Sequence, residues 1–299
     1  MSQNQLDSLK DGTYHAVINS SLENGSLTYG ELIIKGKTDE EILISTYLCH
    51  PSMANNECSG PAVSVALAKY ILEKKGNHRY TYRFIYIPET IGSITYLSRN
   101  LDHLKNHVKA GFVLSCVGDD NAYSAVHSRY GNTITDRVID NTFKSIGKET
   151  YKSYSYLYRG SDERQFNAPG VDLPVCAVCR SKYGMFSEYH TSLDNLDFVS
   201  AKGLDGAVNA MIRVLEVLEH NHKYKVDVLC EPQLGKRNLY PTLSCKGSYA
   251  GIQTMTNFIA YADGTQSLLD ISERIFVPAY ALLDTVHKLL DQNLLKIVE

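Results

Sequence analysis

The chain has 299 residues, 43% of them hydrophobic and 21% charged, with a formal net charge of −3. This length suits a large domain with a smaller appendage, and the composition is that of a globular protein with ample core. The near-neutral charge and the lack of a long Lys/Arg run argue against nucleic acid as the main partner. The N-terminus carries neither a basic region nor an apolar stretch, and no apolar run approaches membrane-spanning length. Neither signal peptide nor anchor is expected, which points to a cytoplasmic protein without a membrane partner.

Residues 1–40 read as strands joined by turns: apolar segments at residues 15–18 and 32–34 flank a Glu23-Asn-Gly-Ser turn signal. From residue 41 apolar runs alternate with amphipathic helices. Strands are expected at 42–48, 82–87, 111–117 and 173–178. Helices are expected from about Ser59, over 91–104, over 133–146, and from Ser200, a plausible N-cap, to His220. Such alternation implies a mostly parallel sheet with helices on both faces. After Asn221 a Pro/Gly-rich loop leads to helices near 268–274 and 278–292 and an apolar end at 294–298, the outline of a winged helix. The expected division is therefore 1–40, 41–222 and 223–299, with an α/β fold in the middle block.

Cys176-Ala-Val-Cys179 has the spacing of a redox or zinc pair, but it lies inside an apolar strand. Alternation would send the two sulfurs to opposite faces, so a pair of core residues is expected. Tyr151, Tyr154, Tyr156 and Tyr158 read as a stripe along one face of an extended segment, a half-buried sheet surface.

In a parallel sheet, ligands gather at the carboxyl ends of the strands, and most of four polar clusters fall in such places. His50 follows the first strand of the α/β block, and Glu89 follows the second. Asp119 follows the third, and Glu188, His190 and Asp194 share one loop. Singly, each has a bland reading as a loop histidine, a first-turn glutamate or a solvated acid. Together, a His/Glu/His set suits zinc, which lowers the pKa of bound water and polarises a carbonyl, while a nearby carboxylate takes the proton.

Five segments carry a resemblance to a known family. They are His50-Pro-Ser-Met-Ala-Asn-Asn-Glu-Cys-Ser-Gly-Pro61, Pro88-Glu-Thr-Ile-Gly-Ser93, Ser161-Asp-Glu-Arg-Gln-Phe166, Glu188-Tyr-His-Thr-Ser-Leu-Asp-Asn-Leu-Asp-Phe198 and Gly235-Lys-Arg-Asn-Leu-Tyr-Pro-Thr-Leu-Ser244. With them the chain resembles the zinc exopeptidases of the aminopeptidase type, which include glutaminyl cyclases. It is more closely similar to an uncharacterised aminopeptidase-like family ending in a winged helix. The resemblance implies a zinc-exopeptidase-like sheet and a remnant of an inserted β-domain at residues 1–40.

The resemblance also implies a two-zinc site whose first and last histidines match His50 and His190. The bridging aspartate falls at Asn55 or Asn56, and the Glu-Glu pair is reduced to Pro88-Glu89. The second aspartate falls near Ser115, with Asp119 as a substitute. Losing anionic ligands weakens a dinuclear site, so one zinc is expected rather than two. The implied metal set is His50, His190, Glu89, Asn56 and Asp119, with Glu89 or Glu57 as the proton carrier. Asp162, Arg164 and Glu188 are candidates for substrate binding, and Lys236 and Arg237 read as ordinary surface charge. The expected function is a metal-dependent amide hydrolase, an aminopeptidase acting on a peptide or small amide and assembling as a homo-oligomer. Two alternatives stand beside it: a hydrolase or acyltransferase acting on a small molecule or sugar derivative, and a degenerate scaffold. The tail lacks a basic face on its second helix, so docking or oligomerisation suits it better than DNA binding.

Overall fold

The computed structural model describes residues 1–240 and 250–298. In chain order the elements begin with α1 (Gln3–Asp7), β1 (Gly30–Ile34), β2 (Glu41–Tyr47), α2 (Ser59–Glu73), β3 (Thr81–Ile87), α3 (Ile91–His107), β4 (Val108–Leu114) and β5 (Tyr123–Val126). Then follow α4 (Ile134–Gly147), β6 (Tyr151–Tyr154), α5 (Glu163–Phe166), β7 (Val175–Cys179) and α6 (Ala201–Glu219). The C-terminal part contains β8 (Lys223–Val226), α7 (Ala250–Tyr261), β9 (Asp263–Ser267), α8 (Leu268–Ile275), α9 (Ala279–Asp291) and β10 (Leu295–Val298).

Seven strands form one sheet in the order β1-β3-β2-β4-β7-β5-β6. Its centre, β3-β2-β4-β7, is parallel, while β1 runs antiparallel to β3 and β5 antiparallel to β7. The central strands are apolar at nearly every position because both faces are covered. On β2, Ile42 and Ile44 pack toward α2, α4 and α6, while Leu43 packs toward α3. On β4, Phe112 and Leu114 take the first face and Val113 the second. Each such side chain, fully withdrawn from water, contributes about 1.5–3 kcal/mol. Cys176 and Cys179 are free and buried, and they belong to opposite faces as the period of two requires.

Ser200 caps α6 as expected, its side chain accepting from the Gly203 amide. Residues 15–18 do not form the expected strand. Among the described residues no strand pairs with them, and Val17 and Ile18 are exposed. The adjoining strand, β1, is an edge of the main sheet. The tyrosine stripe is also split, because Tyr151 packs on one face and Tyr154 on the other, and a 3-10 turn then carries Tyr156 to Tyr158.

Between β2 and α2 the chain makes a π-helical turn, Ala54–Cys58, closed by the Cys58 amide on the Met53 carbonyl at 3.1 Å. Such turns carry one residue more than an α-turn and recur at functional sites. Gly60 lets α2 begin against the sheet, since a Cβ there would lie 2.5 Å from the Leu114 carbonyl oxygen.

The C-terminal strands form a second sheet, β10-β8-β9, which with α7, α8 and α9 makes a winged helix. Helix α9 lies against α6, where Arg213 covers the Tyr280 ring at 5.1 Å and His220 meets His287 edge-on. Arg137 of α4 pairs with Asp270 and Glu273 of α8. Met211 and Val214 of α6 and Phe258, Leu282 and Val286 of the winged helix belong to one continuous apolar cluster. The Gly235 segment ends, from Pro241, outside the described residues.

Candidate active site

Strands β2 and β3 are parallel neighbours, with Tyr47 opposite Ile87, so the segments leaving their carboxyl ends emerge side by side. His50 and Glu89 sit on those segments. His50 Nε2 lies 3.7 Å from Glu89 Oε2, and His50 Nδ1 lies 3.4 Å from Glu57 Oε2. The loop after β7 brings His190 to the same place, with its ring centroid 5.2 Å from that of His50. Two histidines 140 positions apart and two carboxylates thus meet above the sheet.

Each member is held by named partners. Glu57 accepts the backbone amides of Cys49 at 2.5 Å and His50 at 2.9 Å, so its carboxylate fixes the loop that carries His50. Glu89 Oε1 accepts the Ser161 hydroxyl at 2.8 Å, which leaves Oε2 turned toward His50. The peptide after Glu89 is a strained γ-turn. Thr90 has φ 63° and ψ −66°, and the Ile91 amide reaches back to the Glu89 carbonyl at 2.7 Å. A β-branched residue at positive φ is an outlier that its surroundings must enforce. Here Asp162 Oδ1 accepts the Thr90 amide at 2.8 Å and the Ser93 hydroxyl at 2.7 Å, and Arg164 donates to Thr90 Oγ1 at 2.6 Å. His190 also sits at positive φ, 57°, and stacks on Tyr189 with ring centroids 3.9 Å apart. Burial pushes the Tyr189 hydroxyl up to about 12, keeping it neutral.

Asp162 is fully buried, and among the described residues its Oδ2 has no partner. Burial raises its carboxyl to about 7, helped by the charges of Glu89 and Glu163 and opposed by the Thr90 and Ser93 hydrogen bonds. Glu163, which sequence reasoning did not select, takes the Gly160 and Ser161 amides and the Tyr183 hydroxyl on Oε1. Ser161, the residue that orients Glu89, was also not singled out, although both lie in a motif quoted above. Asp194 accepts the amides of Asn55 and Asn56, one on each oxygen, and so clamps the π-turn to the loop bearing His190.

One expected member, Asp119, is committed elsewhere. Asp119 is fully buried and its oxygens take four hydrogen bonds: Asn121 N and Ser181 Oγ on Oδ1, Asn55 Nδ2 and Ser181 N on Oδ2. That network joins loops, and a metal would have to displace it. Glu188 Oε2 accepts from the Ser187 hydroxyl. Asn55 is likewise committed, its Oδ1 accepting the amides of Gly118 and Asp119. Asn56 donates to the Tyr47 hydroxyl, whose ring centroid is 5.5 Å from that of His50, and its own Oδ1 is buried without a donor.

Two donors bound to one tetrahedral zinc at about 2.1 Å each stand roughly 3.4 Å apart. The 3.7 Å between His50 Nε2 and Glu89 Oε2 is close to that separation, and the orphaned Asn56 Oδ1 is a further unsatisfied acceptor. Among the described residues, however, no three His, Cys, Asp or Glu side chains stand ready-made as a cage. The pair spacing suits a shared ion only if a third donor turns in.

The family model described as Domain of unknown function (DUF4910) matches residues 7–221, and a winged helix-turn-helix model matches residues 222–297. The chain belongs to the DUF4910 family. This DUF4910 chain is 43% identical over 274 residues to a Clostridium acetobutylicum protein provisionally named for polysaccharide biosynthesis with an aminopeptidase-like domain. The match covers 91% of the chain and 62% of that relative, so the chain spans less than two thirds of the relative's length. A crystal structure from Clostridium acetobutylicum, provisionally described as a peptidase, superposes with a TM-score of 0.86 at 41% identity. It covers 100% of this chain and 67% of that one. Glutaminyl cyclase from an Acidobacteriales bacterium shares the fold at a TM-score of 0.52 and 16% identity, over 64% of this chain and 73% of its own. Among the described residues, no helix is long and apolar enough to cross a membrane.

Proposed function

We propose that the chain is a metal-dependent amide hydrolase of the aminopeptidase type with a one-metal site. The observation that carries this reading is the convergence of His50 and Glu89, on segments leaving adjacent strands, with His190 from the loop after β7, His50 Nε2 facing Glu89 Oε2 at 3.7 Å, beyond hydrogen-bond distance. A zinc ion held there would supply Lewis acidity toward a carbonyl and lower the pKa of water. We assign His50, Glu89 and His190 as its holders, with Asn56 Oδ1 as an auxiliary oxygen. Glu57 orients His50, and the Cys49 and His50 amides occupy one of its oxygens each. Among the described residues Glu89 has one oxygen without a donor, and it cannot bind metal and take a proton through it at once. With Glu89 on the metal, hydrolysis proceeds without a dedicated base, a deficit of about 10²–10⁴ in rate. Asp162 and Arg164 serve by holding the Thr90 turn, and the substrate lies on the side of His190 and Glu188. Residues 41–222 are taken as the catalytic unit. Residues 223–299 are taken as a docking unit with no nucleic-acid role, since α9 already lies on α6.

The test is metal analysis of protein purified without added zinc, combined with hydrolysis of aminoacyl-anilides. One equivalent of zinc and slow, chelator-sensitive turnover are expected. Absence of metal, unrelieved by zinc or manganese, overturns the enzyme reading in favour of a binding scaffold. The relative's name favours one second reading, amide hydrolysis on a sugar derivative. Bound zinc with no anilide turnover, but release of acetate from an N-acetylated amino sugar, would select it.

A further inference from the structure

At the amino ends of β2 and β3, on the far side of the sheet from His50 and Glu89, a cleft of about 890 Å³ opens between the α/β domain and the winged helix. One strand length, about 20 Å, separates it from the candidate active site. The α/β side supplies Lys37, Lys74, His78 and Arg79, and the other wall supplies His222 and Lys223. Glu219 is the carboxylate among the lining residues, and its oxygens are committed to the Arg79 and Tyr80 amides and the Tyr82 hydroxyl. Lys74 is paired with Glu216, and Arg79 lies 3.4 Å from the half-exposed Glu40, a weak pairing. Lys37 leans on the neutral Asn77 amide at 2.8 Å, and Arg79 Nη1 faces His222 Nδ1 at 3.4 Å. Burial and the charges of Arg79 and His220 hold the His222 imidazole below its ordinary value. His78 lines the same cleft at 2% exposure, and among the described residues neither ring nitrogen is paired, an arrangement that costs stability unless a partner arrives.

We propose that this cleft is a binding site for a small phosphate-bearing anion, which bridges the α/β domain and the winged helix. Its volume matches a nucleotide-sized ligand. Cations from both walls with one committed carboxylate suit phosphate oxygens, and the unpaired imidazole of His78 supplies a buried donor. The site is independent of the hydrolase reading, since it shares no residue with it.

The experiment is calorimetric titration of the full chain with pyrophosphate, alongside the His78 ring ¹H–¹⁵N signal. Expected are a stoichiometry of one, a shift of the His78 signal, and a rise in melting temperature. The exposed double variant Lys37→Gln/Lys223→Gln, which leaves buried groups untouched, should bind at least about tenfold more weakly, as loss of two charge-assisted contacts implies. Tighter binding of ADP or of a hexose 1-phosphate than of pyrophosphate supports the site and names the carrier of the phosphate. No heat at millimolar pyrophosphate overturns the proposal, as does unchanged affinity in the double variant. A duplex oligonucleotide binding more tightly than pyrophosphate at equal salt also overturns it, by giving these cations to a nucleic-acid backbone.

Discussion

The amide of Thr90 donates to Asp162 Oδ1 at 2.8 Å, and this bond holds the peptide that follows Glu89 in a conformation it would not adopt alone. The clamp is a carboxyl with no access to water, which gives it a pH signature. Its native pKa is raised from 3.8 to about 7, so between those values the folded protein binds a proton that the unfolded chain releases. Stability from this group is therefore present below pH 4 and is lost as pH rises toward 7. At about 1.4 kcal/mol per unit the loss is a few kcal/mol. Asp162→Asn keeps an acceptor for Thr90 and should flatten this decline in metal-free protein, leaving the variant more stable than wild type at pH 8. Urea titrations from pH 4 to 8 check it; parallel curves for the two proteins would refute the assignment.

The metal assignment makes a separate claim about His190. His190→Ala should lower zinc affinity at least tenfold in competition with a chromophoric chelator, while the fold, judged by far-UV dichroism, is retained. Stoichiometric zinc of wild-type affinity in this variant would remove His190 from the set.

Glu57 is expected to act through the loop it holds. Glu57→Ala leaves the Cys49 and His50 amides without their acceptor, at a cost of roughly 1–3 kcal/mol. Glu57→Gln retains one acceptor oxygen and should recover part of both the stability and the zinc affinity. Equal losses in the two variants would instead point to a role for the negative charge.

One apolar cluster runs from the main sheet through α6 into α7, α8 and α9, so the winged helix should not melt alone. A thermal scan should give one transition, with calorimetric and van't Hoff enthalpies equal. Arg137→Ala, which removes half-exposed ion pairs to α8, should cost no more than about 1 kcal/mol. An early transition confined to the tail would disprove this coupling.

The central strands were legible because both of their faces are buried, which leaves runs such as Ile42 to Ile44 that only a covered sheet tolerates. Helix α6 announced itself through Ser200 and its apolar stripe. Strands β5 and β6 were hidden: each spans four residues, and Tyr123, Tyr151 and Tyr154 are only partly buried, so no apolar run marks them. The segment at residues 15–18 was misread because alternation reports a tendency toward extended backbone, not the presence of a neighbour. The strand-end rule led to His50 and Glu89, while His190 came from its place in a polar loop and from the family resemblance. The parts played by Ser161, Asp194 and Asp162 were not legible, because a side chain that caps a distant peptide leaves no spacing in the sequence. Asp119 shows the converse: an acid after a strand, read as a ligand, is taken up by Ser181 and Asn55.

The extra residue in the turn Ala54–Cys58 bears on what lengths of chain this region tolerates. Deleting one amino acid there would let the helix regularise, and each side chain upstream would swing by about 100° about the axis. Glu57 would leave the Cys49 and His50 amides, and Asn55 and Asn56 would break from Asp194. A protein shortened by one residue here would thus keep its sheet and lose the arrangement around His50, which makes insertion and deletion scanning here more informative than exchange of any single side chain.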